Sequence, residues 1–206
     1  MLLPYWVLSI AIEEWFIWVK AFSVISGIIL LSLFRTTKLG NTKLCQWAIY
    51  LFLVINIFEA VAKDLLTGNI INYLNAAVGI LLIATLNKID SIYIDTKEGY
   101  RDLHWGSMTV PWIIVYTLWN LIFIYLNFGL QGSLMHISVL ASALLVLFID
   151  RERWLQARVF TLGMYFIILH FFPYLISPIN NFMSIIALGV IFCCTLFLMR
   201  RSKQFI

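Results

Sequence analysis

Seven long runs of apolar residues constrain this chain more than any other feature of its sequence. They lie at 15–34, 45–65, 69–87, 111–129, 133–149, 158–176 and 180–199. A helix needs about 20 mainly apolar residues to cross a bilayer, and backbone polar groups in lipid must be paired within their own segment. The runs are too long and too uniformly apolar for the alternating strands of a membrane barrel. The sequence therefore predicts an all-α integral membrane protein with a bundle of seven transmembrane helices.

The composition excludes a soluble globular fold. Of the 206 residues, 63% are hydrophobic and only 12% are charged, whereas soluble domains are about half apolar and a quarter charged. No charged or Pro/Gly/Ser-rich stretch is long enough to separate a second domain, so residues 1–206 are predicted to form a single polytopic membrane domain with the lipid bilayer as its partner. The net charge of +4 does not indicate nucleic-acid binding, because the basic residues cluster beside the apolar runs.

Basic residues occur in every second connection between the runs. The connections after the first, third and fifth runs and the C-terminal tail each contain three, namely Arg35, Lys38 and Lys43, then Lys88, Lys97 and Arg101, then Arg151, Arg153 and Arg158, and finally Arg200, Arg201 and Lys203. The other three connections contain none. Under the positive-inside rule, this alternation predicts an N-terminus outside, a C-terminus in the cytoplasm and insertion in the plasma (inner) membrane.

The connection from 88 to 110 is the longest and is predicted to be cytoplasmic. It mixes acidic and basic residues and contains His104 and Trp105. We expect a short amphipathic or interfacial segment here, and a solvated linker is the simplest interpretation.

Polar side chains within the apolar runs are the candidate functional positions, because an ionisable group at membrane depth is costly. On the second, third and fourth runs they share one helix face each, and the predicted orientation places most of them in the outer half of the bundle. The predicted site residues are Lys20, Glu59, Lys63, Asn72, Asn75, Asn120, His136 and His170.

Two interpretations of these residues stay open. Amide and imidazole groups hydrogen-bond across membrane helices, Glu59 could pair with Lys20 or Lys63, and Lys63 and Asp64 could extend to the outer headgroups. Alternatively, Lys20, Glu59, Asn72, Asn75 and Asn120 line a water-filled cavity that opens outward.

The sequence contains no motif that specifies a cofactor or a metal. His136, His170 and Glu59 are residue types that bind zinc, but no two of them share a helix at a spacing of three or four. Phosphate-binding glycine loops, Ser-His-Asp arrangements and CxxC motifs are absent from the sequence.

Three functions are compatible with this pattern. The preferred hypothesis is a transporter- or channel-like protein whose outward-facing polar cavity binds a small solute or cation, with Glu59 supplying the charge that a cation senses and Lys20 or Lys63 as its counter-ion. The alternative is a non-catalytic interaction, immunity or regulatory protein whose partner surface is the 88–110 connection. The third is an intramembrane lipid-modifying enzyme that uses His136 and His170. A homo-oligomer is compatible with a chain of this length.

Overall fold

A computed structural model describes residues 15–96 and 101–171, and 84% of these residues are helical. The elements in chain order are α1 Trp15–Thr36, α2 Lys43–Thr67, α3 Ile70–Ala84, β1 Ile92–Asp95, β2 Asp102–Trp105, α4 Val110–Leu144 and α5 Trp154–Phe171. Short 3₁₀ turns at Lys38–Asn41, Ile89–Ser91, Leu145–Phe148 and Arg151–Arg153 connect them. The run predicted at 180–199 lies outside the described residues.

Three helical segments are long and apolar enough to cross a membrane. They are α1, α2 and the segment Val110–Phe148, with mean hydropathies of 2.1, 1.8 and 1.8. The helix α3 is apolar but has only 15 residues, which gives a length of about 22 Å. Apolar side chains on the outward faces, such as Phe22, Ile29 and Phe58, remain about 60% exposed. Because water would not tolerate such extended apolar faces, these helices agree with the predicted association with a membrane.

Capping residues determine where α2 ends and α3 begins. Gly68 adopts the left-handed conformation that only glycine adopts without cost, with φ 81°. Asn69 then caps α3, and its side-chain oxygen accepts hydrogen bonds from the backbone N–H groups of Ile71 and Asn72. The two helices therefore form an antiparallel hairpin with a very short turn.

The helix α4 is broken at Gly129, where the backbone has φ 72° and ψ −173°. Arg158 Nη2 lies 3.4 Å from Asn120 Oδ1 and 3.3 Å from His136 Nε2. In a continuous helix the 16-residue separation of Asn120 and His136 would place them about 24 Å apart. The chain therefore reverses at Gly129, and the arms 110–128 and 130–144 correspond to two separate predicted runs.

Aromatic rings along one face of the first α4 arm form the centre of the core. Trp112, Tyr116, Trp119 and Phe123 follow each other at helical spacing, with successive ring centroids 5.5, 5.9 and 6.4 Å apart. Trp154 of α5 packs edge-on against Trp112 and Tyr116. Trp119 Nε1 also donates a 2.9 Å hydrogen bond to the Asn75 carbonyl, so the same face connects α4 with both α3 and α5.

The 88–110 connection is not simply a solvated linker, and its first strand is amphipathic, with Ile92 and Ile94 buried and Tyr93 exposed. It contains an antiparallel pair of strands in which Ile92 faces Trp105 and Ile94 faces Leu103, and all four side chains are at most 2% exposed. Alternation over only four residues per strand is too short to stand out in a search for long apolar runs. The fold is therefore not purely helical.

Asp102 anchors this hairpin to the helices. Its carboxylate accepts hydrogen bonds from Arg35 Nη2 at 2.8 Å and Gln156 Nε2 at 2.9 Å, and Arg153 Nη1 lies 3.1 Å away. These partners belong to α1, to α5 and to the 3₁₀ turn before α5. The carboxylate of Asp102 thus connects the β-hairpin to α1 and α5, the first and last helices that the structure describes.

Candidate functional site

The first group of buried polar side chains joins α1 to α2. Lys20 Nζ donates to Glu59 Oε2 at 3.0 Å and to Asn56 Oδ1 at 3.3 Å. Asn56 Nδ2 in turn donates to Ser23 Oγ at 3.2 Å. The side chains of Lys20 and Glu59 are 19% and 10% exposed, so this ion pair is largely buried within the protein.

The second group centres on Arg158, which is only 5% exposed. Its Nη2 contacts Asn120 Oδ1 and His136 Nε2 from the two arms of α4. Since a guanidinium nitrogen only donates, His136 Nε2 must be unprotonated to accept this hydrogen bond. Arg158 Nε and Nη1 are buried and make no hydrogen bond to the described residues. Unpaired buried donors are costly and require an explanation.

A cavity of about 20 Å³ brings the two groups together. Asn56 and Arg158 are its polar lining residues, together with Tyr116, and its other walls are apolar. This volume accommodates roughly one water-sized group. We call the set Lys20, Asn56, Glu59, Asn120, His136 and Arg158 the central cluster.

The charges of the central cluster do not balance. Lys20 and Glu59 neutralise each other, whereas Arg158 has no carboxylate partner among the residues that the structure describes. A buried charge without a partner destabilises a protein by several kcal/mol. The central cluster therefore has an excess of one positive charge beside its cavity.

A second cluster lies at the turn between α2 and α3. Asp64 is completely buried, and its carboxylate accepts hydrogen bonds from the side-chain amides of Asn72 at 2.6 Å, Asn75 at 2.7 Å and Asn127 at 2.7 Å. Asn127 Oδ1 accepts a 2.9 Å hydrogen bond from the exposed Thr67 hydroxyl. We call Asp64, Asn72, Asn75 and Asn127 the outer cluster. Among the described residues no cation pairs with Asp64, so this cluster has an excess of one negative charge.

A third polar group lies on the hairpin, outside the apolar segments. His104 Nδ1 is 3.7 Å from Asp150 Oδ2 and 3.6 Å from Glu152 Oε2, and the His104 ring stacks on Tyr93. Tyr93 donates a 3.0 Å hydrogen bond to Glu152. Burial, followed by this hydrogen bond, raises the pKa of Tyr93 to about 12. In the described part of the chain, no three His, Cys, Asp or Glu side chains are placed to hold a metal ion.

Comparison with known protein families places the chain in a group. A model of a family of unknown function, DUF5692, matches residues 3–187, which is most of the chain. The chain belongs to this family. No curated protein matches it, and neither does any solved structure. Membership of DUF5692 therefore identifies relatives of the chain without assigning it an activity.

The structure distributes the predicted site residues over different places. Lys20 and Glu59 pair with each other, and Asn120 and His136 contact Arg158 in the same central cluster. Asn72 and Asn75 belong instead to the outer cluster.

The remaining two predicted site residues are Lys63 and His170. Lys63 is partly exposed and makes no side-chain hydrogen bond to the described residues. The side chain of His170 lies outside the described part of the chain.

Asp64 was not among the predicted site residues, and the possibility that it extends to the headgroups does not fit its complete burial. A signal for its real position exists in the sequence. Asp64 and Asn72 are each four residues from Gly68. Residues that are equally distant from the turn of a helical hairpin face each other, so this spacing could have placed the amide beside the carboxylate.

Arg158 was assigned to a basic connection, and this assignment is wrong. The helix α5 begins at Trp154, so Arg158 lies in its second turn and is buried. The predicted run began at 158 because the preceding residues are mixed in polarity. Arg151 and Arg153 remain in the connection, and the alternation of basic and neutral connections persists without Arg158.

Proposed function

We propose that this protein is a transporter- or channel-like membrane protein of the plasma (inner) membrane that binds a small anionic solute in its central cluster. We further propose seven transmembrane helices, an outer N-terminus and a cytoplasmic C-terminus. The described helices α1, α2, α3 and α5 and the two arms of α4 coincide with six of the predicted runs, which supports this arrangement.

One observation carries the proposed solute class. Arg158 is one of the residues that line the cavity, and its Nε and Nη1 atoms have no hydrogen-bond partner among the described residues. Guanidinium groups bind carboxylates and phosphates through charged N–H donors. An anion in the cavity would neutralise the charge of Arg158.

The ion pair between Lys20 and Glu59 favours an anion over a cation at this site. Glu59 was expected to supply the charge that a cation senses, with Lys20 or Lys63 as its counter-ion, and its carboxylate binds Lys20. Lys20 also reaches Asn56, which lines the cavity. Both cationic groups of the central cluster are thus near the cavity, while its single carboxylate is neutralised. Since the cavity holds only about one small group, larger solutes require the helices to separate.

The test is anion flux in proteoliposomes that contain the purified full-length protein. Efflux of chloride, measured with an ion-selective electrode, and of radiolabelled formate should exceed efflux from protein-free liposomes. Arg158→Gln should lower this flux roughly tenfold, because it removes the positive charge that stabilises the bound anion. A tenfold change corresponds to about 1.4 kcal/mol of binding free energy. Glu59→Gln should also lower it, because Lys20 is then free to hold the anion and slow its release.

The matched control is Arg151→Gln, which removes the same charge from an exposed position and should leave flux unchanged. Equal flux from the wild type and Arg158→Gln would contradict the proposal, as would wild-type flux no greater than that of empty liposomes. Either result would favour the alternative of an interaction or regulatory protein, whose partner surface would then be the 88–110 connection.

A further inference from the structure

The contact between Arg158 and His136 joins a permanent cation to a side chain that can bind a proton. His136 is 7% exposed and lies on the second arm of α4, and its Nε2 atom is 3.3 Å from Arg158 Nη2. Because a guanidinium nitrogen only donates, Nε2 accepts this hydrogen bond, and the proton of the neutral imidazole is on Nδ1. A second proton can bind His136 only at Nε2, and therefore only when Arg158 Nη2 no longer donates to that atom.

The charged groups that act on His136 are cations. Arg158 comes from α5 and Lys20 from α1, and both act on the imidazole through their charge. The α2 residue Glu59 is paired with Lys20. The α5 residue Tyr165 packs edge-on against the imidazole, with ring centroids 5.8 Å apart. In the described part of the chain no carboxylate contacts His136, so the charge of Arg158 opposes a second charge on the ring.

An anion bound at Arg158 changes both conditions. It neutralises the cation that is in contact with the imidazole, and it gives Arg158 Nη2 another acceptor in place of His136 Nε2. Histidine is the side chain whose ordinary titration falls near neutral pH. The anion thus favours protonation of His136, and the proton favours binding of the anion, since coupling between two ligands is reciprocal.

We propose that His136 couples the transport of the anion to a proton, with one proton bound at Nε2 for each anion bound at Arg158. This coupling rests on the proposed anion-binding function. In the loaded state, the Nη2 hydrogen that pointed at His136 donates to the anion, and a proton from solution binds the vacated Nε2 lone pair. On release, the new N–H bond breaks, the proton leaves with the anion, and Nε2 accepts from Arg158 again. The pair that crosses the membrane has no net charge.

The test is uptake of radiolabelled chloride against its gradient into proteoliposomes that contain the purified full-length protein. Valinomycin and equal K⁺ on both sides hold the membrane potential at zero, so that only the pH gradient can drive accumulation. With the outside about one pH unit more acidic, internal chloride should rise roughly tenfold above external chloride, because a tenfold ratio of either ion represents the same free energy. Protein-free liposomes should show no accumulation.

His136→Gln separates the coupling from the flux. The glutamine side-chain oxygen can accept from Arg158 but does not titrate, so chloride should still move down its own gradient, whereas accumulation driven by the pH gradient should be lost. Tyr165→Phe removes the titratable hydroxyl beside His136 and should keep the accumulation. His104→Gln is the matched control, since it makes the same change at a buried histidine of the β-hairpin, and it should also keep the accumulation.

The outcomes distinguish this proposal from the anion function. Downhill chloride flux without accumulation by the wild type would overturn the coupling and leave the anion function intact, even if His136→Gln failed to fold. Accumulation that His136→Gln retains would overturn the role of His136. The absence of any chloride flux would overturn both proposals.

Discussion

At the scale of single residues, the buried charges are distinguished by their partners. Lys20 and Glu59 have each other, Asp64 has three amides, and Arg158 has one amide and one imidazole. Only the first of these is a neutral pair. The cost of burying charge is therefore offset to different extents in this bundle, and we propose a ligand for Arg158, which has two unpartnered nitrogen atoms among the described residues.

The ion pair between Lys20 and Glu59 should show strong coupling in a double-mutant cycle. Lys20→Met and Glu59→Leu should each destabilise the protein by about 3 kcal/mol, because each leaves a buried charge without its partner. The double variant should lose much less than the sum of the two. Thermal or denaturant unfolding in detergent measures all three values.

Lys63→Met provides the control, because Lys63 lies one turn beyond Glu59 and makes no side-chain hydrogen bond to the described residues. It should change stability by no more than about 0.5 kcal/mol. A large effect of Lys63→Met together with additive effects at Lys20 and Glu59 would identify Lys63 as the true counter-ion.

At the scale of elements, the helical hairpin of α2 and α3 depends on close approach at Gly79. A Cβ atom added there would lie 2.5 Å from Val61 Cγ2 and 2.8 Å from Trp119 Cζ2. Both neighbours are at most 2% exposed, so neither has free space into which it can move. Gly79 thus sets the distances of α3 from α2 and α4, and with them the geometry of the outer cluster.

Gly79→Leu should destabilise the protein by about 3 kcal/mol or more through overpacking. Ala77→Leu adds a large side chain to an exposed position of the same helix and should have little effect. The melting temperatures of the two variants in detergent test this difference in stability. Similar losses in both would show that α3 does not pack at Gly79 in this way.

At the scale of the whole molecule, the outer and central clusters have excess charges of opposite sign. Binding of the proposed anion would neutralise the excess positive charge of the central cluster. The β-hairpin is anchored by Asp102 at the opposite end of α2 from the Gly68 turn. This is the side that we propose to be cytoplasmic.

The proposed orientation can be tested with single cysteines in a cysteine-free background. Thr67→Cys, at the end of α2, should react with a membrane-impermeant maleimide in intact cells. Asp90→Cys, before β1, should react only after the cells are permeabilised. Both positions are exposed, so burial does not confound the comparison. Labelling of both residues in intact cells, or the reverse pattern, would contradict the proposed topology.

The sequence by itself was sufficient to predict helices and their approximate ends, since long apolar runs leave the backbone no other way to pair its polar groups in lipid. The positions of α1, α2, both arms of α4 and most of α5 follow from it. The turns at Gly68 and Gly129 also lie where the neutral connections were predicted.

Only the tertiary structure decided which polar side chains meet. From the sequence, Glu59 had two possible counter-ions, Lys20 and Lys63. Arg158 was assigned to a basic connection, and Asp64 was a residue that could extend to the headgroups. Hydropathy reports the average polarity of a segment and contains no information on helix rotation, which is set by packing at residues such as Gly79 and Trp119. The rotation of each helix determines which of its faces packs against a neighbour. It therefore places Asp64 against three amides and Arg158 beside a cavity.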